Sequence, residues 1–296
     1  MDKPAQRQAY VSLVVNIALT LVKSFFGFAA HSEALIADAA HSASDVAGSI
    51  AVLIGVQVAR RPADNDHPYG HGKAEVIAAS LVAILLILAG LEVVYTSVRT
   101  FFLPLSAPSS VALYVALAAA LVKEVLYRVQ MKLGQRDHSP ALIAGAKDHR
   151  ADVWSSLFAA LGIAVALLGE WLHHPLLELA DPIAGLFVAL VVVRMGYQLA
   201  AESYKLLLDE VLDERATEGM ISSARTVDGV LRVDDLRVRK SGPYGIAEVR
   251  ISVDPTITVL QGHAIGHRVK DRLLEKHEEL RDVLIHINPY NERPPH

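Results

Sequence analysis

Six apolar stretches, roughly residues 9–30, 34–58, 75–97, 111–132, 141–169 and 179–203, dominate the chain. Each is long enough to cross about 30 Å of hydrocarbon at about 1.5 Å per helical residue. Few folds are open to such a chain, because backbone groups in hydrocarbon must be paired within the protein and helices pair them within one segment. The expectation is an α-helical membrane protein with a six-helix transmembrane domain over residues 1–205. The 52% hydrophobic composition agrees, and the net charge of −4 gives no reason to expect a nucleic-acid partner. The chain has no cysteine, which excludes disulfides and leaves nitrogen and oxygen as metal donors. An even number of spans puts both termini on one side. The connections His31 to Glu33 and Gly169 to Asp181 carry no Lys or Arg, whereas Arg60, Arg61, Lys73, Lys132 and Arg136 lie in two others. That bias predicts cytoplasmic termini, and the membrane expected is a cell (inner) membrane. The fourth stretch is interrupted by Lys123, Glu124 and Arg128. It reads either as a span whose basic side chains snorkel, the preferred reading, or as an amphipathic helix on the membrane surface.

Two polar motifs sit inside these apolar stretches, His41-Ser-Ala-Ser-Asp45 in the second and Asp148-His-Arg-Ala-Asp152 in the fifth. Each places two potential metal ligands at i and i+4, on one helix face with Cβ atoms about 5–6 Å apart. A carboxylate at membrane depth costs roughly 2.5–3.5 kcal/mol on insertion scales, so three of them call for a cation, a proton or a wet path. Asp38 shares the face of His41 and Asp45; it reads equally as a partner of His41, as a proton relay, or as a water-exposed residue near the helix end.

Beyond residue 205 charged residues become frequent and the apolar runs shorten. A helix over Glu214 to Arg225, strands over Leu231 to Lys240 and Ile246 to Asp254 around a Ser241-Gly-Pro-Tyr turn, a helix over Leu260 to Lys276 and a strand over Val283 to Asn288 give the order αββαβ. Residues 206–296 are therefore expected to form a small α+β (ferredoxin-like) domain.

Taken together, the chain resembles the cation diffusion facilitators, a family of homodimeric metal/proton antiporters. The resemblance rests on Ala37-Asp-Ala-Ala-His-Ser-Ala-Ser-Asp45, on the loop Asp64-Asn-Asp-His-Pro-Tyr-Gly-His-Gly-Lys-Ala-Glu75 and on Asp148-His-Arg-Ala-Asp152. In the tail it rests on Asp235-Leu-Arg-Val-Arg239, Val253-Asp-Pro255 and Ile285-His286. It implies a transport site of His41, Asp45, Asp148 and Asp152 and a secondary metal site at Asp64, His67 and His71. It also implies a charge interlock of Lys73 with Asp209 near a dimer interface. Some members hold a binuclear zinc site in the tail. Here Asp234 and Arg250 occupy two of those positions and Asn288 replaces an acid, which leaves Asp234, His263 and His286, with His267 nearby, as a reduced candidate set.

Many zinc-transporting members have His where this chain has Asp148, and His149 points about 100° around the helix from it. Lys147-Asp148 resembles manganese exporters, whereas His41 resembles zinc exporters. One imidazole with three carboxylates suits zinc and also harder ions, so the sequence puts transported Zn2+ slightly ahead of Mn2+ or Fe2+, with no tightly bound cofactor. The partners expected are divalent metal ions, protons, the lipid bilayer and a second copy of the chain. A cation channel, a membrane metalloenzyme and a non-transporting metal sensor are the competing classes. No hydrolase motif such as H-E-x-x-H supports an enzyme.

Overall fold

The computed structural model describes residues 3–59, 61–102, 107–136 and 140–291; Arg60, used above for orientation, lies outside them. Two compact units emerge, one of residues 1–51 and 79–200, the other of 52–78 and 201–296.

The first unit is built from the long helices α1 (Lys3–Ala29), α4 (Ser110–Arg136) and α5 (Pro140–Leu172), the short α6 (Pro175–Glu178), and residues 33–51 of α2 (Glu33–Ala59), 79–100 of α3 (Lys73–Thr100) and 180–200 of α7 (Ala180–Leu207). Among the described residues five of the long helices are apolar and long enough to span a membrane. The sixth, α2, carries Asp38, His41 and Asp45. Large apolar side chains such as Phe25, Phe28, Leu81, Leu85 and Leu88 point outward, as a lipid-facing surface requires. The interior is made instead of small residues, including Ala34, Ala112, Ala116, Ala159 and Ala160. Small side chains let backbones approach closely where no hydrophobic effect drives helices together.

Polar contacts fix α2 at its N-terminus. The Asp181 carboxylate, from the first turn of α7, accepts from Ser32 Oγ at 2.6 Å and from the Glu33 backbone N–H at 2.7 Å. Ser32 in turn accepts from the Leu35 N–H at 3.1 Å. A carboxylate and a serine at a helix N-terminus satisfy donors that would otherwise be orphaned and complement the helix dipole. Thr96 donates to the Glu33 carboxylate at 2.9 Å, tying α2 to α3.

In the second unit, α8 (Glu214–Arg225), β1 (Arg232–Ser241), β2 (Tyr244–Val253), α9 (Val259–Lys276) and β3 (Leu280–Pro289) follow the expected αββαβ order. β1 and β2 run antiparallel, and β2 and β3 parallel, in the order β1-β2-β3. Met220 and Ala224 of α8 and Val269 and Leu273 of α9 pack with Val238, Val249, Ile251 and Val283 of the sheet. The strands extend beyond the sequence reading because pairing continues to Ser241↔Tyr244 across the hairpin and to Gly245↔Leu280. Alternation weakens at those ends while backbone pairing does not. The α9 start is set by a Thr258/Gln261 capping box.

Candidate metal centre

The facing i, i+4 pairs of α2 and α5 converge in part. One donor atom each from His41, Asp45 and Asp152 lie within 4.8 Å of one another, and His41 Nε2 is 3.3 Å from Asp152 Oδ1. His41 Nδ1 and Asp45 Oδ2 are buried without a hydrogen-bond partner. Unpartnered buried acceptors are costly and call for a cation or a donor. Asp148 stands outside this cluster, although with His41, Asp45 and Asp152 it lines one cavity of about 600 Å³ whose remaining wall is mostly apolar. His149 is buried and turns away from Asp148: its Nε2 is 3.2 Å from Ser12 Oγ and its Nδ1 is 3.7 Å from Asp152.

Sequence reasoning missed the cation already at this place. Lys123 of α4 does not snorkel: it is fully buried, with Nζ 2.5 Å from Asp152 Oδ2 and 3.9 Å from Asp45 Oδ2. A second missed lysine, Lys23 of α1, sits 2.7 Å from Asp38 with both side chains fully buried. Lys23 also donates to Ser42 and Ser156, and Asp38 accepts from Ser155 and Ser156. Asp38 is therefore not water-exposed; it belongs to a polar clamp joining α1, α2 and α5. The signal for both lysines was their position inside apolar spans, where an ionisable residue needs a named partner.

In the second unit, Asp64, His67 and His71 gather, one donor atom from each within 4.8 Å of the others. Asp64 Oδ1 accepts backbone N–H bonds from Asp66 at 3.1 Å and His67 at 2.7 Å. The His67 backbone bond leads the interactions that hold the exposed Asp64 carboxyl below its ordinary value. The two imidazole rings lie 4.6 Å apart, tilted by 42°, and Gly70 supplies the positive φ of 85° that brings His71 round. Lys73 Nζ pairs with Asp209 Oδ1 at 2.9 Å, and Arg239 approaches the other oxygen at 3.5 Å.

Asp234, His263 and His286 do not form such a cluster among the described residues. Asp234 is occupied by Arg232 at 2.6 Å, Ser252 at 2.7 Å and Asn288 at 3.0 Å. His286 lies opposite Arg250 in the β2/β3 register, and His263 packs on His267. Burial pushes the Asp234 carboxyl up, but the hydrogen bonds from Asn288, Arg232 and Ser252 outweigh it and hold it below its ordinary value. The ionised carboxylate therefore stabilises this domain above the unfolded value of about 3.9, and that contribution is lost as pH falls through the lowered folded value. Asp234→Asn is expected to cost about 2 kcal/mol near neutral pH and much less in acid. Amide exchange across β1 and β2 in the full-length protein at the two pH values checks this; a pH-independent gap would assign the effect to something other than the charge.

A bundle of apolar helices that buries imidazole and carboxylates, followed by a small α+β domain, defines a multi-pass membrane protein that handles cations. Residues 9–208 match the cation efflux transmembrane domain and residues 212–290 the cation efflux protein cytoplasmic domain. The chain belongs to the cation diffusion facilitator family, whose function is divalent metal efflux. It is 36% identical to the manganese efflux system protein MneP of Bacillus subtilis, over 98% of both chains. It is 32% identical to metal tolerance protein C1 of Arabidopsis thaliana, over 94% of this chain and 61% of that one. The manganese efflux system protein MneS of Bacillus subtilis is 27% identical over 93% of this chain and 92% of that one.

Proposed function

We propose that this protein exports manganese(II) in exchange for protons, through a transport site of His41, Asp45, Asp148 and Asp152. The observation that carries the reading is the convergence of one imidazole and two carboxylates between α2 and α5, with a third carboxylate, Asp148, in the same cavity. Such an oxygen-rich set suits harder divalent ions better than a site of several imidazoles would. The sequence alone puts zinc slightly ahead on the strength of His41. The likeness to MneP along nearly the whole of both chains tips the balance to manganese, and zinc is the second reading.

Exchange follows from the donors. A divalent ion needs ionised carboxylates and a free imidazole nitrogen, so protons and metal compete for the same atoms. Metal loaded from the cytoplasm releases protons; protons entering from the other side displace the metal. An inward proton gradient then drives export. The termini and the tail domain are cytoplasmic in a cell (inner) membrane, with the division near residue 205. The chain works as a homodimer, with Lys73 and Asp209 near the interface. The Asp64, His67 and His71 loop is a secondary metal site; Asp234, committed to its own hydrogen bonds, makes the tail set of Asp234, His263 and His286 the weakest of the three.

The test is uptake of Mn2+, Zn2+, Fe2+ and Cd2+ into proteoliposomes of the purified protein with a lumenal pH dye. Manganese uptake with opposite proton movement is the expected result; metal flux without proton movement would mean a channel, and no flux would favour a sensor. Asp148→His, which adds an imidazole to the cavity, is expected to shift the zinc-to-manganese flux ratio toward zinc on the order of tenfold. An unchanged ratio would remove Asp148 from the site.

A further inference from the structure

Lys123 is not explained by metal exchange alone, and its placement is unusual. Its ammonium lies between Asp152 Oδ2, at 2.5 Å, and Asp45 Oδ2, at 3.9 Å, and the side chain has no exposed surface. Those two carboxylates come from the two helices that also supply the metal donors. The neighbouring His41 contacts Asp152 through the other oxygen, Oδ1, so the ammonium and the imidazole divide one carboxylate between them.

We propose that Lys123 is a tethered competitor for the transport site: its ammonium occupies the position between Asp45 and Asp152 that the substrate cation must take, and loading requires its displacement. The inference rests on the transport-site reading above and adds a residue from α4 to it. Two like charges close together in a low-dielectric interior repel strongly, so an ammonium and a divalent ion cannot share these two carboxylates. The lysine stem is flexible and carries a compact charge on rotatable bonds, so it can withdraw where a rigid group could not. An occupied site binds with an affinity reduced by the fraction of molecules in which it is free. Lys123 thus keeps metal affinity low enough for release and neutralises part of the acidic site when no metal is bound. A monovalent ion, which offers the carboxylates no more charge than the ammonium already does, gains nothing by displacing it. A divalent ion does.

The experiment is equilibrium binding of Mn2+ to the purified full-length protein in detergent, for the wild type, Asp152→Asn, Lys123→Gln and Lys123→Arg. Lys123→Gln, which lacks the competing charge, is expected to bind about ten- to a hundredfold more tightly, corresponding to a competitor in place 90–99% of the time, and to release metal more slowly. Lys123→Arg keeps the charge and offers a planar fork that grips carboxylates more firmly, so it is expected to bind Mn2+ about tenfold more weakly. The opposite signs matter, because the arginine variant keeps the buried charge balance and tests the idea even if the glutamine variant does not fold. Unchanged or weaker binding in a folded Lys123→Gln, or wild-type or tighter binding in Lys123→Arg, would overturn the competitor role while leaving the transport site standing. If Mn2+ binding survives in Asp152→Asn, the site itself is wrong and the inference falls with it.

Discussion

Alanine at Asp152 is expected to lower metal flux by roughly 100-fold or more, given that loss of even a residue supporting a ligand costs about 10–100-fold in metal affinity. Asp152 meets His41 at 3.3 Å, Lys123 at 2.5 Å and, through Nδ1, His149 at 3.7 Å, so one carboxylate joins two imidazoles and a buried ammonium. Its removal takes away a donor and leaves the Lys123 ammonium buried with Asp45, at 3.9 Å, as its one remaining ion-pair partner among the described residues. Stranding a buried charge costs about 3–5 kcal/mol. Flux therefore has to be compared at equal amounts of folded protein, and Asp152→Asn, which keeps the shape, serves as the control. Both variants should be silent for manganese. Transport at the wild-type rate in either one would remove Asp152 from the pathway.

The second large effect is on stability. Lys23→Met is expected to destabilise the helical bundle by about 3–5 kcal/mol, the range for breaking a buried ion pair by removing one partner. Lys23 and Asp38 are 2.7 Å apart and neither side chain is exposed, so among the described residues the abandoned carboxylate would keep Ser155 and Ser156. Adding Asp38→Leu in the same chain should restore most of the loss, because an apolar pair of similar size removes the unpaired charge. Unfolding of the single and double variants in a mixed-detergent titration measures both terms. A loss below about 1 kcal/mol in Lys23→Met would mean that the pair is reached by water and acts as a surface ion pair does.

The long helices and the αββαβ tail were legible because hydropathy runs and alternation report burial directly, residue by residue. The i, i+4 pairs were legible for the same reason: spacing on one helix fixes which face a residue occupies. Pairings between helices were not. Lys23 and Asp38 are separated by a helix junction and Lys123 and Asp152 by another, and nothing in local spacing says which face of α4 turns toward α5. The helix-end habit of lysine made snorkelling the obvious assignment for Lys123, yet its fully buried position shows that pairing prevailed. In the tail the family resemblance implied donors at Asp234, His263 and His286, but Arg232, Ser252 and Asn288 hydrogen-bond to Asp234. Only the register of the strands reveals that.

The Lys23 and Asp38 pair also bears on how such a chain enters a bilayer during synthesis. Lys23 belongs to α1 and Asp38 to α2, and only the residues between Ala29 and Glu33 separate the two helices. Inserted singly, each helix would carry an uncompensated ion into hydrocarbon at roughly 2.5–3.5 kcal/mol per charge. Inserted as a hairpin, the two charges cancel before either meets lipid. Paired insertion of the first two helices thus avoids that cost, whereas Asp45 pairs with a lysine, Lys123, that lies two helices further along the chain.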